Sequence, residues 1–485
     1  MNRSVIRFVL AHIMIIEGVL MLLPVITGLI YGEEVYKIYM AVAASAVCLG
    51  LILKWKKPAK MTFYLKEGCV ATAFSWIMLS IIGCIPFLLT KEIPSFADAL
   101  FETVSGFTTT GASILYDIES LSHASLIWRS FTHWIGGMGV LVFLLTIVSM
   151  TGGSSMNLMR AESPGPSVGK LVPRIRESAR FLYGIYLMLS LIEYLCLLAG
   201  GMTVFDALNT MFATAGTGGF GIKNDSIASY SATLQWIITV FMILFGVNFN
   251  AYFFIFRRKF KELLKLEEVV WYFAIIILSV GIIFVCIGHS DGTFSDAFRD
   301  SAFQIASIIT TTGFSTVDFN LWNSTAKTLL VFIMFCGACA GSTGGGIKVS
   351  RFMILFKVLK REMNLYVHPK SIKEIRMNGK PVEHDVVRTC STFLITYMGV
   401  FMISLFLISF DNFDMTTNFT AIAASINNIG PGLEMVGPSG NFAQFSAFSK
   451  YVLMFDMLAG RLELFPMLIL LNPAIWKDLQ RRVRK

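Results

Sequence analysis

Charge is what this sequence has least of. Only 15% of its 485 residues are Asp, Glu, Lys or Arg, while 55% are apolar. A soluble domain carries about 25% charged residues, so this balance and a mean hydropathy of +0.68 exclude an ordinary soluble fold. Histidine is scarce too. His12, His123, His133, His289, His368 and His384 form no cluster along the chain. No nucleophile–base–acid set accompanies them, which makes an enzyme the weakest reading. Most of the eight cysteines sit in apolar runs. Cys336 and Cys339 form a CxxC without a matching His or Cys pair, so the spacing does not read as a metal site. The alternating strands of a membrane barrel are also missing.

Long apolar runs are what is present. Residues 5–31 and 269–288 are long enough to cross a hydrocarbon core of about 30 Å. Backbone groups in lipid must be satisfied within their own segment, so the spans are helices. The first run is too long, and too soon followed by another span, to be a cleaved signal peptide. Lys and Arg gather at 54–66, 160–180, 257–265, 357–388 and 477–485, while the connections between these clusters are acidic or neutral. Basic loops stay cytoplasmic, which predicts a multi-pass protein with both termini inside. The net charge of +9 is this topology signal. Its spread over short loops argues against nucleic acid as a partner.

Between the basic loops the pattern recurs four times. In 70–150 a full span is followed by FADALFETVSGFTTTGAS (96–113), too short and polar to cross, and then by a second full span from about 124 to 150. The middle pieces of the other units are FDALNTMFATAGTGGFG (205–221), FSDAFRDSAFQIASIITTTGFST (294–316) and FDMTTNFTAIAASINNIGPG (413–432). Each starts beside an aspartate (Asp98, Asp206, Asp296, Asp414) and ends on a glycine (Gly111, Gly219, Gly313, Gly430). That gap holds a helix of about three turns, with the aspartate placed for capping and for the positive end of the dipole. The expected fold is all-α and polytopic: four tandem helix–short helix–polar turn–helix repeats around a pseudo-fourfold pore, after one plain helix pair. The boundaries are 1–66 for the pair and 67–160, 161–265, 266–365 and 366–485 for the repeats.

Irregular backbone at membrane depth is tolerated only inside protein or along a water-filled cavity. The C-terminal end of each short helix favours a cation, and glycine permits the backbone angles of the turn after it. Four such turns around one axis make a ring of carbonyls that replaces the water shell of a monovalent cation.

FTTTGAS, TGGFG, TTTGFST and NNIGPG, with GACAGSTGGGIKV (337–349) and MLAGRLELF (457–465), resemble the Trk/Ktr/HKT superfamily of potassium transporters, in its bacterial TrkH/TrkG branch. The resemblance covers nearly the whole chain. It implies potassium uptake across the bacterial cytoplasmic (inner) membrane, with K⁺ as the transported ion and no cofactor bound by this chain. It further implies a homodimer with one pore per protomer and a cytoplasmic, nucleotide-binding regulatory ring of the TrkA (RCK) type. The filter residues it implies are Thr109, Thr110 and Gly111; Thr217, Gly218 and Gly219; Thr311, Thr312 and Gly313; and Asn428, Ile429 and Gly430. The ion sites fall at the last two residues of each set: Thr110 and Gly111, Gly218 and Gly219, Thr312 and Gly313, Ile429 and Gly430. Plant members that pass sodium replace the first of these glycines with serine; this chain keeps Gly111. Gly218, Ile429 and Pro431 depart from the TTG pattern, so an asymmetric filter is expected.

A gate is expected below the filter. Residues 337–348 interrupt the second span of the third repeat. They miss a phosphate loop because Ile347 separates Gly346 from Lys348 and no strand precedes them. Gly344, Gly345, Gly346 and Lys348 are therefore read as part of a flexible loop at pore level. Lys348 either faces the cytosolic mouth or marks the inner membrane boundary. Arg461, within a span, must face a cavity or a partner. It is read as a positive barrier that anchors the loop, or as a structural pair with Asp456, Glu463 or loop carbonyls. Gly136, Gly137 and Gly139 are read as helix packing. A solute carrier built from inverted repeats is the rival class, but these repeats run parallel. No carboxylate relay within the spans stands out, which favours channel-like flux over symport coupled to H⁺ or Na⁺.

Overall fold

The computed structural model describes residues 2–55, 58, 64–139, 175–288, 293–370 and 373–481. Among the described residues, six helices are long and apolar enough to cross a membrane. α1 (Arg3–Leu20) and α2 (Leu22–Tyr31) form one 29-residue run, and α3 (Tyr36–Lys54) returns beside it. The other long helices each open one of four units.

In the first unit, α4 (Leu65–Leu89) is followed by the short α5 (Phe96–Phe107) and by α6 (His123–Gly137). The second holds α7 (Ile175–Ala199), α8 (Val204–Ala215), α9 (Ala232–Gly246) and α10 (Phe249–Phe256), with the single turn α11 (Phe260–Leu263) after it. The third holds α12 (Glu267–Ile287), α13 (Phe294–Ile309), α14 (Ser324–Cys336) and α15 (Val349–Val367). A small hairpin, β1 (Arg376–Met377) and β2 (Lys380–Pro381), leads to the fourth: α16 (His384–Ile408), α17 (Met415–Ile426), α18 (Ala447–Arg461), α19 (Phe465–Leu468) and α20 (Pro473–Arg481).

The short helices start alike. Ser95, Thr203, Thr293 and Asp414 are the N-caps, and each side chain accepts the N–H three residues on. Asp98, Asp206 and Asp296 stand at that third position, where their charge meets the helix dipole. The fourth aspartate differs from expectation, because Asp414 is itself the cap and Thr417 takes the inner place. Three of these helices have 12 residues; α13 has 16, which is one turn more. The helices that follow are capped in the same way by Ser122, Ser231, Asn323 and Ser446.

The second spans were expected whole apart from the third, yet all four stop early. They have 15, 15, 13 and 15 residues and end at Gly137, Gly246, Cys336 and Arg461. Residues 140–150 of the first expected span lie outside the described residues. After Gly246 the chain bends by 93° into α10. The broken ends share a purpose in packing: α6 packs on α8, α9 on α13, α14 on α17, and α18 on α5. Each unit therefore leans on the short helix of the next, and the fourth closes on the first. The N-terminal pair docks from outside this ring. Glu33, after α2, accepts the N–H groups of His123 and Ala124 at 2.8 and 3.1 Å and so covers the open start of α6. Helices at the rim expose apolar side chains, among them Ile277, Leu278 and Val285 on α12 and Ile395, Ile403 and Phe406 on α16. Such surfaces suit a lipid environment.

Replacing the cap residue Thr203 with alanine frees one N–H at the start of α8 and should cost about 1 kcal/mol. Reversible unfolding in detergent would measure this; an unchanged midpoint would contradict the cap.

Candidate functional site

All four short helices end in the same turn. The N–H of Thr110 bonds the carbonyl of Ser105 at 2.9 Å, and that of Thr109 bonds Gly106 at 3.1 Å. Gly218 and Thr217, Thr312 and Thr311, and Ile429 and Asn428 repeat this pair of bonds in the other units. This is a Schellman ending, in which the first residue past the cap adopts the left-handed conformation. Thr109, Thr217, Thr311 and Asn428 do so, with φ between +53° and +59°. Two residues later Gly111, Gly219, Gly313 and Gly430 again have positive φ, between +76° and +98°, an angle that L side chains resist.

The turns meet one another. A methyl group on Gly111 would stand 2.0 Å from the carbonyl oxygen of Gly218, and one on Gly219 would stand 1.9 Å from that of Thr312. One on Gly313 would stand 2.1 Å from the Ile429 oxygen, and one on Gly430 would stand 2.8 Å from the Thr110 oxygen. The contacts run from the first unit through the second, third and fourth back to the first. Four carbonyls of equivalent position thus form a closed ring, and the four glycines line a single cavity of about 130 Å³. The candidate ion-site residues are brought together.

Their inequalities have local causes. Gly218 stands where two other units have threonine because a Cβ there would lie 2.3 Å from the His133 ring. His133, fully buried, bonds the carbonyl of Gly106 through Nδ1 at 2.7 Å and accepts the N–H of Phe220 at Nε2. These partners assign the proton to Nδ1 and tie the first turn to the second. Thr110 and Thr312 each share a hydroxyl hydrogen bond with the threonine two residues before. In the fourth unit the Asn428 amide donates instead to the Thr110 hydroxyl and to the Met457 carbonyl.

Behind the ring lies an ion pair that sequence reasoning missed. Glu102 on α5 and Arg129 on α6 are joined at 2.7 and 2.9 Å, with side chains 0% and 1% exposed. Glu102 also accepts the Ser113 hydroxyl and the Ile114 N–H, while Arg129 donates to the Gly221 carbonyl and covers the Phe220 ring. The pair therefore holds the outer arms of the first and second turns. An acid and a base inside apolar segments were its only trace in the sequence.

On the other side of the ring lies the loop between α14 and α15. The N–H of Gly345 donates to the Thr311 hydroxyl at 2.6 Å and that of Gly346 to the Asn427 carbonyl at 3.0 Å. A Cβ on Gly344 would stand 2.9 Å from the Thr310 carbonyl. The expected loop is thus pressed against the third and fourth turns. Arg461 donates to the Thr343 carbonyl at 2.9 Å and to the carbonyls of Gly136 and Gly137 at the end of α6. Of the partners expected for it, loop carbonyls are observed, while Asp456 bonds Ser404 and Glu463 pairs with Arg351. Lys348 turns inward. It is 1% exposed and bonds the Gly344 carbonyl inside the loop. Gly136 and Gly137 pack as expected, against the Phe107 carbonyl and Gly216.

The spans also hold carboxylates that the sequence reading passed over. Glu17 is one, and Asp456, named above only as a partner for Arg461, is another; both are fully buried. Neither oxygen of Glu17, and only one of Asp456, has a hydrogen-bond partner among the described residues. No group of three or more metal-ligating side chains is found among those residues.

Fold and turns together define a polytopic helical membrane protein whose broken spans converge on a central ring of backbone carbonyls. A family model described as "TrkH: Cation transport protein" matches residues 37–285 and 290–477, and the chain belongs to that family. It is 33% identical over 484 residues to the Trk system potassium uptake protein TrkH of Salmonella typhimurium, covering 98% of this chain and 99% of that one. Identity to the Escherichia coli Trk system potassium uptake protein TrkG is 31% over 470 residues, covering 94% and 95%. The crystal structure of the potassium transporter TrkH from Vibrio parahaemolyticus matches with a TM-score of 0.87 at 31% identity, over 98% of this chain and 100% of that one.

Removing one partner of a buried ion pair leaves an uncompensated charge, so Glu102→Ala or Arg129→Ala alone should cost about 3–5 kcal/mol. The double variant Glu102→Gln/Arg129→Met should lose far less than the sum of the two. Thermal unfolding of the four proteins in detergent checks this, and additive losses would contradict it.

Proposed function

We propose that this chain carries K⁺ across a bacterial cytoplasmic membrane through a gated, channel-like pore whose selectivity filter is the ring of four turns. The observation that carries this reading is the closed contact of Gly111, Gly219, Gly313 and Gly430 with the neighbouring carbonyls of Gly218, Thr312, Ile429 and Thr110. A fixed ring of carbonyls can replace the hydration shell of a monovalent cation. The potassium named for the TrkH and TrkG relatives supports the choice of ion. Both termini lie in the cytoplasm on this reading.

The loop holding Gly344, Gly345, Gly346 and Lys348 is the gate, and Arg461 is both its anchor and a positive barrier. Carbonyls of the loop and of α6 hold the guanidinium in place, where its charge opposes a cation in transit. The reading includes a homodimer and a cytoplasmic, nucleotide-binding ring of the TrkA type that docks on the basic loops 160–180 and 357–388. Residues 160–174 of the first loop lie outside the described residues. A second reading, uptake coupled to H⁺ or Na⁺, is favoured by one observation: Glu17 and Asp456 are buried carboxylates of the kind that proton relays use.

Liposomes holding the purified protein should take up ⁸⁶Rb⁺, competed by K⁺ far better than by Na⁺. Absence of uptake, with and without a cytoplasmic partner, would sink the reading. Arg461→Ala should raise the flux severalfold. Gly111→Ser, which must push the Gly218 carbonyl aside, should reduce the preference for K⁺ over Na⁺. Uptake that follows an imposed pH or Na⁺ gradient at zero voltage would favour the coupled reading.

A further inference from the structure

Two adjacent glutamates at the start of α12 connect the loop between α14 and α15 to the small hairpin. We propose that Glu268 is a latch that holds the loop across the ion path, and that the hairpin Arg376–Pro381 works this latch through Glu267. The proposal rests on the gate reading and adds the element that controls it.

Glu268 is 6% exposed. Its Oε1 accepts the N–H of Ala340 at 2.7 Å and the N–H of Ser350 at 3.2 Å. Ala340 lies near the start of the loop and Ser350 just beyond its end, so one carboxylate draws both ends together. At Ser350 it also faces the N-terminus of α15, where the helix dipole favours a negative charge. Oε2 accepts the Asn248 amide at 3.2 Å. Asn248 caps α10, whose first residue, Phe249, donates its N–H to the Gly341 carbonyl at 3.0 Å. The broken span of the second unit and the loop of the third thus share this carboxylate.

Glu267, one residue earlier, faces the hairpin. It exchanges two hydrogen bonds with Asn378: its Oε1 accepts the Asn378 N–H at 2.8 Å, and its N–H donates to Asn378 Oδ1 at 2.9 Å. Its other oxygen pairs with Lys357 on α15, which also donates to the Arg376 carbonyl at 2.7 Å. Asn378 and Gly379, with φ of +53° and +76°, form the two-residue turn of the hairpin. Ile375 and Met377 bury its inner side. Successive residues in a helical turn cannot move independently, so a force on the hairpin that shifts Glu267 also shifts Glu268. The N–H groups of Ala340 and Ser350 then lose their acceptor, and a buried donor without a partner favours a new position for the loop.

The test uses the full-length protein in liposomes with two readouts: ⁸⁶Rb⁺ flux, and labelling of Cys339 by a small charged thiol reagent, quantified by peptide mass spectrometry. Cys339 is fully buried beside Ala340 and becomes accessible only when the loop moves. Glu268→Gln should raise flux and labelling together, by about tenfold, as expected for loss of a hydrogen bond to a charged group. The preference for K⁺ over Na⁺ should not change. Asn378→Ala should raise both readouts by a smaller factor, and the double variant should not exceed Glu268→Gln. Asn378→Ala lies outside the membrane core and keeps the test decisive if Glu268→Gln yields no folded protein. Flux and labelling equal to wild type in these variants, while Arg461→Ala still conducts more, would overturn the latch alone. Unchanged flux in Arg461→Ala as well would overturn the gate reading beneath it.

Discussion

The whole arrangement depends on a backbone carbonyl of one unit filling the space where a side chain of the next would stand. At Gly111, Gly219 and Gly313 a Cβ would stand only 1.9–2.1 Å from that carbonyl oxygen, and no residue with a Cβ fits without moving it. Four such contacts in a closed order make each turn a wall for its neighbour. The geometry of the ring is therefore a property of the four units together. The same cyclic order appears one layer out, where each broken second span packs on the short helix of the following unit. In a tetramer symmetry would impose this order; here a single chain achieves it with four unequal sequences.

Buried polar groups then fix what the carbonyl ring leaves free. Glu102 and Arg129 grip the outer arms of two turns, His133 bridges Gly106 and Phe220, and Arg461 ties the loop to the end of α6. Each is expensive to bury alone, which is why each comes with its partners. Arg129, His133 and Arg461 also each bond a group in another unit, so breaking those contacts disturbs the register between units as well as one side chain.

Much of this was legible in the sequence because the turn has a local grammar. A short amphipathic helix, a small polar residue and a glycine two positions later recur at 109–111, 217–219, 311–313 and 428–430. The helix starts were less clear. Asp414 reads like Asp206 but occupies the cap position, since a Phe-Asp pair looks the same at either register. The early ends of α6, α9 and α18 were hidden because apolar residues continue past Gly137 and Gly246, and because Arg461 looked like a charge within a span. The reason for Gly218 was out of reach altogether, as it lies in the ring of His133, 85 positions away. The Asn378–Gly379 turn carried a hairpin signal that went unread among basic residues. Pairings such as Glu102 with Arg129 and Glu268 with Ala340 follow from tertiary packing and have no local signature.

The claim at the centre is that four equivalent carbonyls share one dehydrated cation. Anomalous diffraction from crystals grown in Rb⁺ tests it directly. The account predicts density on the axis between the four turns, within contact of the carbonyl oxygens of Thr110, Gly218, Thr312 and Ile429. Rubidium found only elsewhere, with the ring empty at saturating salt, would contradict it.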